Sequence, residues 1–178
     1  GPAAAWGAAF GNLIGDFFGT LGLGSLFGFV GNFLYGYLPY KMWGRLLPML
    51  ARPEPEMRSA RQAFEYLACA LAASAGCALV IGWGLDLIGM APFSFVGNVI
   101  LLNNLIVSAV LGPPLLAALY PRVKQWGLLY TDILEQGDVS SGRLALVGAL
   151  LVWVAIIWGM VIGNLASIGV GGHIMVAG

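Results

Sequence analysis

Six side chains in an otherwise apolar chain have the types and spacing to hold a small polar molecule: Asn12, Asp16, Asn32, Tyr35, Asn98 and Asn103. Asparagine offers two donors and a carbonyl acceptor, the carboxylate accepts only, and the tyrosine adds a ring and a hydroxyl. Converging amides with one carboxylate and aromatic rings suit a flat, neutral or zwitterionic heterocycle. Asn12 and Asp16 are four residues apart, so they share one face of a helix, and Asn32 and Tyr35 are three apart and do the same. Further Gly-Asn pairs lie at Gly97-Asn98 and Gly163-Asn164, and Asn104 adds another amide. Polar groups at membrane depth avoid lipid and turn inward. The six are therefore expected to line one outward-opening cavity. The plainer alternative is that each amide ties two helices together, worth about 0.6 kcal/mol per bond.

Other chemistries lack their residues. His173 is the single histidine and stands in a glycine-rich tail. Cys69 and Cys77 are eight helical residues, roughly 12 Å, apart along an axis. That exceeds the reach of a disulfide. No phosphate-binding loop, Cys-x-x-Cys pair or carboxylate pair of catalytic spacing occurs. No enzyme activity, metal site or cofactor is expected. Lys and Arg together number 8 and so do Asp and Glu. Zero net charge suggests no nucleic-acid partner.

The elements that position these groups follow from composition. The chain of 178 residues is 60% hydrophobic and 9% charged, with mean hydropathy +0.89. Soluble domains carry about 25% charged residues. Apolar stretches near the ~20 residues that cross a hydrocarbon core recur. A transmembrane barrel would instead alternate in segments of roughly ten. The expected fold is all-α: one membrane-embedded helical domain over residues 1–178. Five spans are read, roughly Ala3 to Thr20, Ser25 to Leu47, Ala63 to Ile88, Phe95 to Leu119 and Leu144 to Ser167. The chain opens on Gly1-Pro2 and enters apolar sequence at once, so one or more upstream helices are expected to be missing.

Charge sets the orientation. Lys41, Arg45, Arg52, Arg58 and Arg61 cluster between the second and third spans, and Arg122, Lys124 and Arg143 between the fourth and fifth. The two opposite connections carry none. By the positive-inside rule the basic loops are cytoplasmic, in a multi-pass protein of the plasma (cell inner) membrane. Tyr37, Tyr40, Trp43, Tyr66, Tyr120, Trp126 and Tyr130 flank the basic loops as an interfacial belt. Arg58, Arg61, Gln62 and Glu65 are expected to form an amphipathic lead-in to the third span. The loop bearing Asp132, Glu135 and Asp138 is long enough for a short surface helix. Leu111-Gly112-Pro113-Pro114 predicts a bend or hinge in the fourth span.

Small residues recur at helical spacing. Gly7, Gly11, Gly15 and Gly19 form a stripe on the first span, of the kind that lets helix backbones approach. Gly24 and Gly28, then Ala68, Ala72 and Gly76, then Gly159 and Gly163 repeat the pattern. Such faces either pack the bundle internally or dock another membrane subunit; the first stripe is assigned to a partner.

The opening Gly1-Pro2-Ala3-Ala4-Ala5-Trp6-Gly7, leading to Gly11-Asn12-Leu13-Ile14-Gly15-Asp16, resembles the Gly-Pro-led, glycine-spaced helix of energy-coupling-factor (ECF) transporter S components. The next segment, Phe27-Gly28-Phe29-Val30-Gly31-Asn32-Phe33-Leu34-Tyr35-Gly36-Tyr37-Leu38-Pro39, resembles the helix that follows it there and likewise leads to a basic loop. The remainder matches by layout. The resemblance implies a membrane subunit that captures a vitamin-like small molecule, beside a transmembrane coupling subunit and two cytoplasmic ATPases. The competing class is a structural or assembly subunit of a larger membrane complex, which needs the small-residue faces and no cavity. In either class the chain contacts membrane lipid.

Overall fold

The computed structural model describes residues 1–19, 21–44, 55–133 and 143–169. Helices account for nearly all of them: α1 (Pro2–Phe17), α2 (Gly24–Met42), α3 (Ala60–Leu87), α4 (Phe93–Gln125), the single turn α5 (Tyr130–Ile133) and α6 (Arg143–Gly169). Arg45, Leu47, Arg52, Glu135, Asp138 and His173, with Thr20, lie outside the described residues.

The all-helical membrane bundle is as the sequence reads, but the five spans are not equal. Three stretches are long and apolar enough to cross a membrane: Ala60–Leu87, Phe93–Ile133 and Leu146–Gly169. The first helix stops at Phe17, after 16 residues. At 1.5 Å per residue it is about 24 Å long, short of a hydrocarbon core of about 30 Å. α2 is 19 residues long, but Asn32, three tyrosines and Lys41 dilute its hydropathy.

α3 starts three residues earlier than expected because Ser59 caps it, its Oγ accepting from the Gln62 N–H at 3.3 Å. The amphipathic lead-in is corrected here. Gln62 and Glu65 are buried, Glu65 completely. The Glu65 carboxylate accepts the Gly44 N–H at 2.5 Å. Gly44 has φ +75°, a left-handed turn that releases the chain from α2 and suits a residue without Cβ. A short helix does form in the last loop, as α5. The Gly-Pro-Pro of α4 lies inside an uninterrupted helix of 33 residues.

α3 is the hub. It packs against α2, α4 and α6; α1 packs on α2, and α4 also meets α6. The centre is built of small side chains, Cys69, Ala72, Ala73 and Ala75 of α3, with Leu38 and Met42 of α2 and Ile156 of α6. Both cysteines are free and buried. In lipid, helices associate through close packing rather than through expulsion of water, and small residues permit it. Leu38 presses on Gly76, where a Cβ would stand 2.6 Å from its Cδ1. The Phe93 ring is fully buried in a socket of three glycines from three helices. A Cβ on Gly82, Gly97 or Gly163 would stand 2.9, 3.0 or 2.5 Å from it.

Topology is checked by labelling cysteines at Ser59 and Ala91 in intact cells, with Cys69 and Cys77 buried and silent. The expected result is reaction from outside at Ala91 only. External labelling at Ser59 would reverse the orientation.

Candidate substrate site

The end of the bundle opposite the basic residues gathers most of the polar groups. On α1, Ala5, Ala9, Asn12 and Asp16 lie along one face, and the two alanines are fully buried. They meet α2 at Gly28, Asn32 and Gly36, one turn apart. Asn32 Nδ2 donates to Asn12 Oδ1 and to the Gly28 carbonyl, both at 2.9 Å. Asn12 Nδ2 donates to Asp16 Oδ2 at 3.1 Å. Gly28 makes room: a Cβ there would stand 2.7 Å from Asn12 Nδ2. Two amides and a carboxylate thus form one partly buried chain across the α1–α2 seam. Among the described residues, Asp16 Oδ1 and Asn32 Oδ1 accept no hydrogen bond. The trio therefore presents acceptor oxygens to whatever stands against it.

The other three residues lie elsewhere. The Tyr35 hydroxyl reaches α4, where it donates to the Asn104 carbonyl at 3.2 Å and forms a short bond with Ser108 Oγ. Tyr66 of α3 donates to the Ser108 carbonyl, one turn further along, at 2.9 Å. Two tyrosines from two helices thus fasten successive turns of α4, just before Gly112, against which the Tyr66 hydroxyl packs. Asn98 joins α4 to α6. Its Nδ2 donates to Asn164 Oδ1 at 2.6 Å and to the Ser94 carbonyl at 2.7 Å. Ser167 Oγ donates to Ser94 Oγ at 3.0 Å beside it. Asn103 is exposed on α4, and its neighbour Asn104 turns inward instead. The structure therefore brings Asn12, Asp16 and Asn32 together. It places Tyr35 at the α2–α4 seam, Asn98 at the α4–α6 seam and Asn103 on the outside.

Asn164, Ser94, Ser108 and Ser167, which also join the helices, are not among the residues that the sequence singles out for the site. Asn164 carried a signal, the Gly-Asn pair shared with the chosen asparagines. The serines carried none, since a lone helical serine usually bonds its own backbone.

The glycine stripe of α1 also lands differently from the other small-residue faces. Gly7, Gly11 and Gly15 have nothing within 4 Å of a Cβ position, and Gly19 has only the Gly15 carbonyl at 4.0 Å. These four are exposed, so internal packing does not explain them. Gly28, Gly76, Gly159 and Gly163 do pack internally.

A family model described as QueT transporter matches residues 1–121. The chain belongs to the QueT transporter family. The match spans α1 to the proline-bearing end of α4 and contains all six candidate residues. QueT proteins are S components of ECF transporters, so this chain is a membrane transport component of that kind. No curated protein and no solved structure matches it.

Proposed function

We propose that this QueT-family chain captures a queuosine precursor at the outer face of the plasma membrane. It delivers the precursor with a separate transmembrane coupling subunit and cytoplasmic ATPases. The observation that carries the reading is the Asn12–Asp16–Asn32 chain across the α1–α2 seam, within the family-matched part. A queuosine precursor is a nucleobase-like heterocycle with N–H donors along its edge. Asp16 Oδ1 and Asn32 Oδ1 supply acceptors for such donors, and a few convergent polar groups in an apolar setting are the usual make-up of a small-molecule site. Tyr35 and Asn98 act on the site by holding α4 against α2 and α6, and Asn103, exposed on α4, stands apart from it. The open stripe of Gly7, Gly11, Gly15 and Gly19 is the surface offered to the coupling subunit.

The competing role, a structural subunit with no ligand, uses the same hydrogen bonds only to tie helices. Ligand binding to the purified chain separates the two. Asn32→Ala removes the Oδ1 acceptor offered to the ligand, together with the amide bridge to Asn12. A lost hydrogen-bond partner in a desolvated site is worth about 1–3 kcal/mol, so affinity should fall roughly 5- to 150-fold. The seam bond to Asn12 is worth about 0.6 kcal/mol, so the melting temperature should fall only slightly. A wild-type chain that co-purifies with no heterocycle by mass spectrometry and binds none added would sink the capture role. An Asn32→Ala chain that melts early yet binds normally would leave the structural role standing.

A further inference from the structure

The basic end of the bundle holds a cleft that the transport reading does not use. It has a volume of about 500 Å3 and lies between the segment before α3 and the last turns of α4. Arg58 and Lys124 face it from its two sides, with Glu56, Tyr120 and Gln125. Arg58 Nε pairs with Glu56 Oε2 at 3.1 Å, but the arginine side chain is 78% exposed. An arginine offers five N–H donors, so one carboxylate does not saturate it. Among the described residues that line it, Arg58 and Lys124 are the cations and Glu56 is the carboxylate.

Met57, between Glu56 and Arg58, has φ 55°, and among the described residues it is the one non-glycine with a left-handed backbone. Such a conformation persists in an L-residue only where its surroundings impose it, and it concentrates at ligand sites. It lets residues on either side of Met57 line the same cleft.

The cleft floor is apolar, Ala117 and Pro121 of α4. The same face of α4 continues upward at helical spacing through Val110 and Ile106, which are 64% and 59% exposed. None of the most apolar part of α4 is buried in the bundle. A polar, cation-lined cleft therefore opens onto a lipid-facing apolar track. Tyr120 lines the cleft beside the track, and the exposed Trp126 caps the same end of α4, the depth where aromatic side chains meet headgroups. Soluble anions need only the cations; a lipid uses the cations and the track together.

We propose that this cleft is a binding site for a phosphate-bearing membrane lipid. Its phosphate sits between Arg58 and Lys124, and one acyl chain lies along Ala117, Val110 and Ile106. The site is separate from the substrate trio, which lies toward the other end of the bundle, and does not depend on it. Basic pockets on the cytoplasmic side of helical bundles hold anionic headgroups by this combination.

Native mass spectrometry of the full chain, equilibrated with equal phosphatidylglycerol and phosphatidylcholine, tests it. The expected result is one retained phosphatidylglycerol, favoured about tenfold or more over phosphatidylcholine. Arg58→Gln with Lys124→Gln should abolish that preference. Arg61→Gln with Arg122→Gln, which removes the same charge from the same end outside the cleft, should keep it. If the first pair does not fold, Ala117→Trp fills the cleft with its charges intact and should also lose the lipid. No preference in the wild type, equal loss in both double variants, or retention in Ala117→Trp would overturn the site. So would full competition by inorganic phosphate, which would make the ligand a soluble anion.

Discussion

Gly36→Leu should detach α1 from α2 and lower the stability of the bundle by about 3 kcal/mol or more, the upper range for forced overpacking. The reason is what stands opposite. A Cβ on Gly36 would lie 2.7 Å from the Ala5 Cα, 2.9 Å from the Ala5 nitrogen and 3.0 Å from the Ala4 carbonyl. All three are backbone atoms, so no rotamer change relieves the clash. α1 has its main contacts with α2, so among the described residues little else holds it once that seam opens. The Asn32–Asn12 hydrogen bond would go with it, and ligand binding too. Gly11→Leu is the matched control on the same helix. Its Cβ meets nothing within 4 Å, so the isolated chain should melt within about 0.5 kcal/mol of wild type. If the glycine stripe receives the coupling subunit, Gly11→Leu should instead fail to co-purify with it. Thermal melting in detergent and a pull-down read both effects. A wild-type melt for Gly36→Leu, or an equally large loss for Gly11→Leu, would refute this account of the seam.

Phe93→Ala is the second substitution expected to act strongly. The ring fills the three-glycine socket, is wholly buried, and lies with its centroid 5.5 Å from that of Trp83. Its removal leaves a cavity that three glycines have no side chains to fill. Phenylalanine-to-alanine changes in well-packed cores cost about 3–5 kcal/mol. The loss should fall first on α6, which meets the bundle at α3 and α4, the two helices that Phe93 joins to it. Partial proteolysis should cut the chain near α6 before the rest, and Trp153 and Trp158 of α6 should report the loosening in fluorescence. A Phe93→Ala protein with the wild-type melting temperature and uncut α6 would show that the socket carries little of the packing.

The sequence and the structure divide the glycines between them in an instructive way. Spacing alone marks Gly7, Gly11, Gly15 and Gly19 as a close-packing stripe, and the same spacing marks Gly24 and Gly28. In the structure the first set is open and Gly28 is packed against Asn12. Periodicity locates a face on a helix but says nothing of the azimuth at which the neighbour arrives. Here α2 meets α1 through Ala5, Ala9, Asn12 and Asp16, about a quarter-turn or more from the glycines. Gly36, Gly82 and Gly97 stand outside the stripes that spacing marks. Gly36 meets Ala5, 31 residues away in the chain, and Gly163 meets Phe93, 70 residues away, contacts that no local pattern reveals.

What the sequence by itself determined is the solvent and the chain's response to it. With 9% charged residues, the backbone must satisfy its hydrogen bonds internally in lipid, and helices follow. The basic residues between the second and third and the fourth and fifth spans mark where the helices end. The asparagine, aspartate and tyrosine side chains were identifiable as the groups that must find partners, because an unpaired amide at that depth is costly. Which partner each one found was decided by the tertiary structure. Asn12, Asp16 and Asn32 met because Gly28 and Gly36 let α1 settle on α2 at that rotation. Tyr35 and Asn98 were drawn to other seams because α3, carrying the smallest side chains, became the hub around which α2, α4 and α6 arranged themselves. Helix-to-helix rotation depends on pairwise shape between distant residues, so it was settled only when the helices packed.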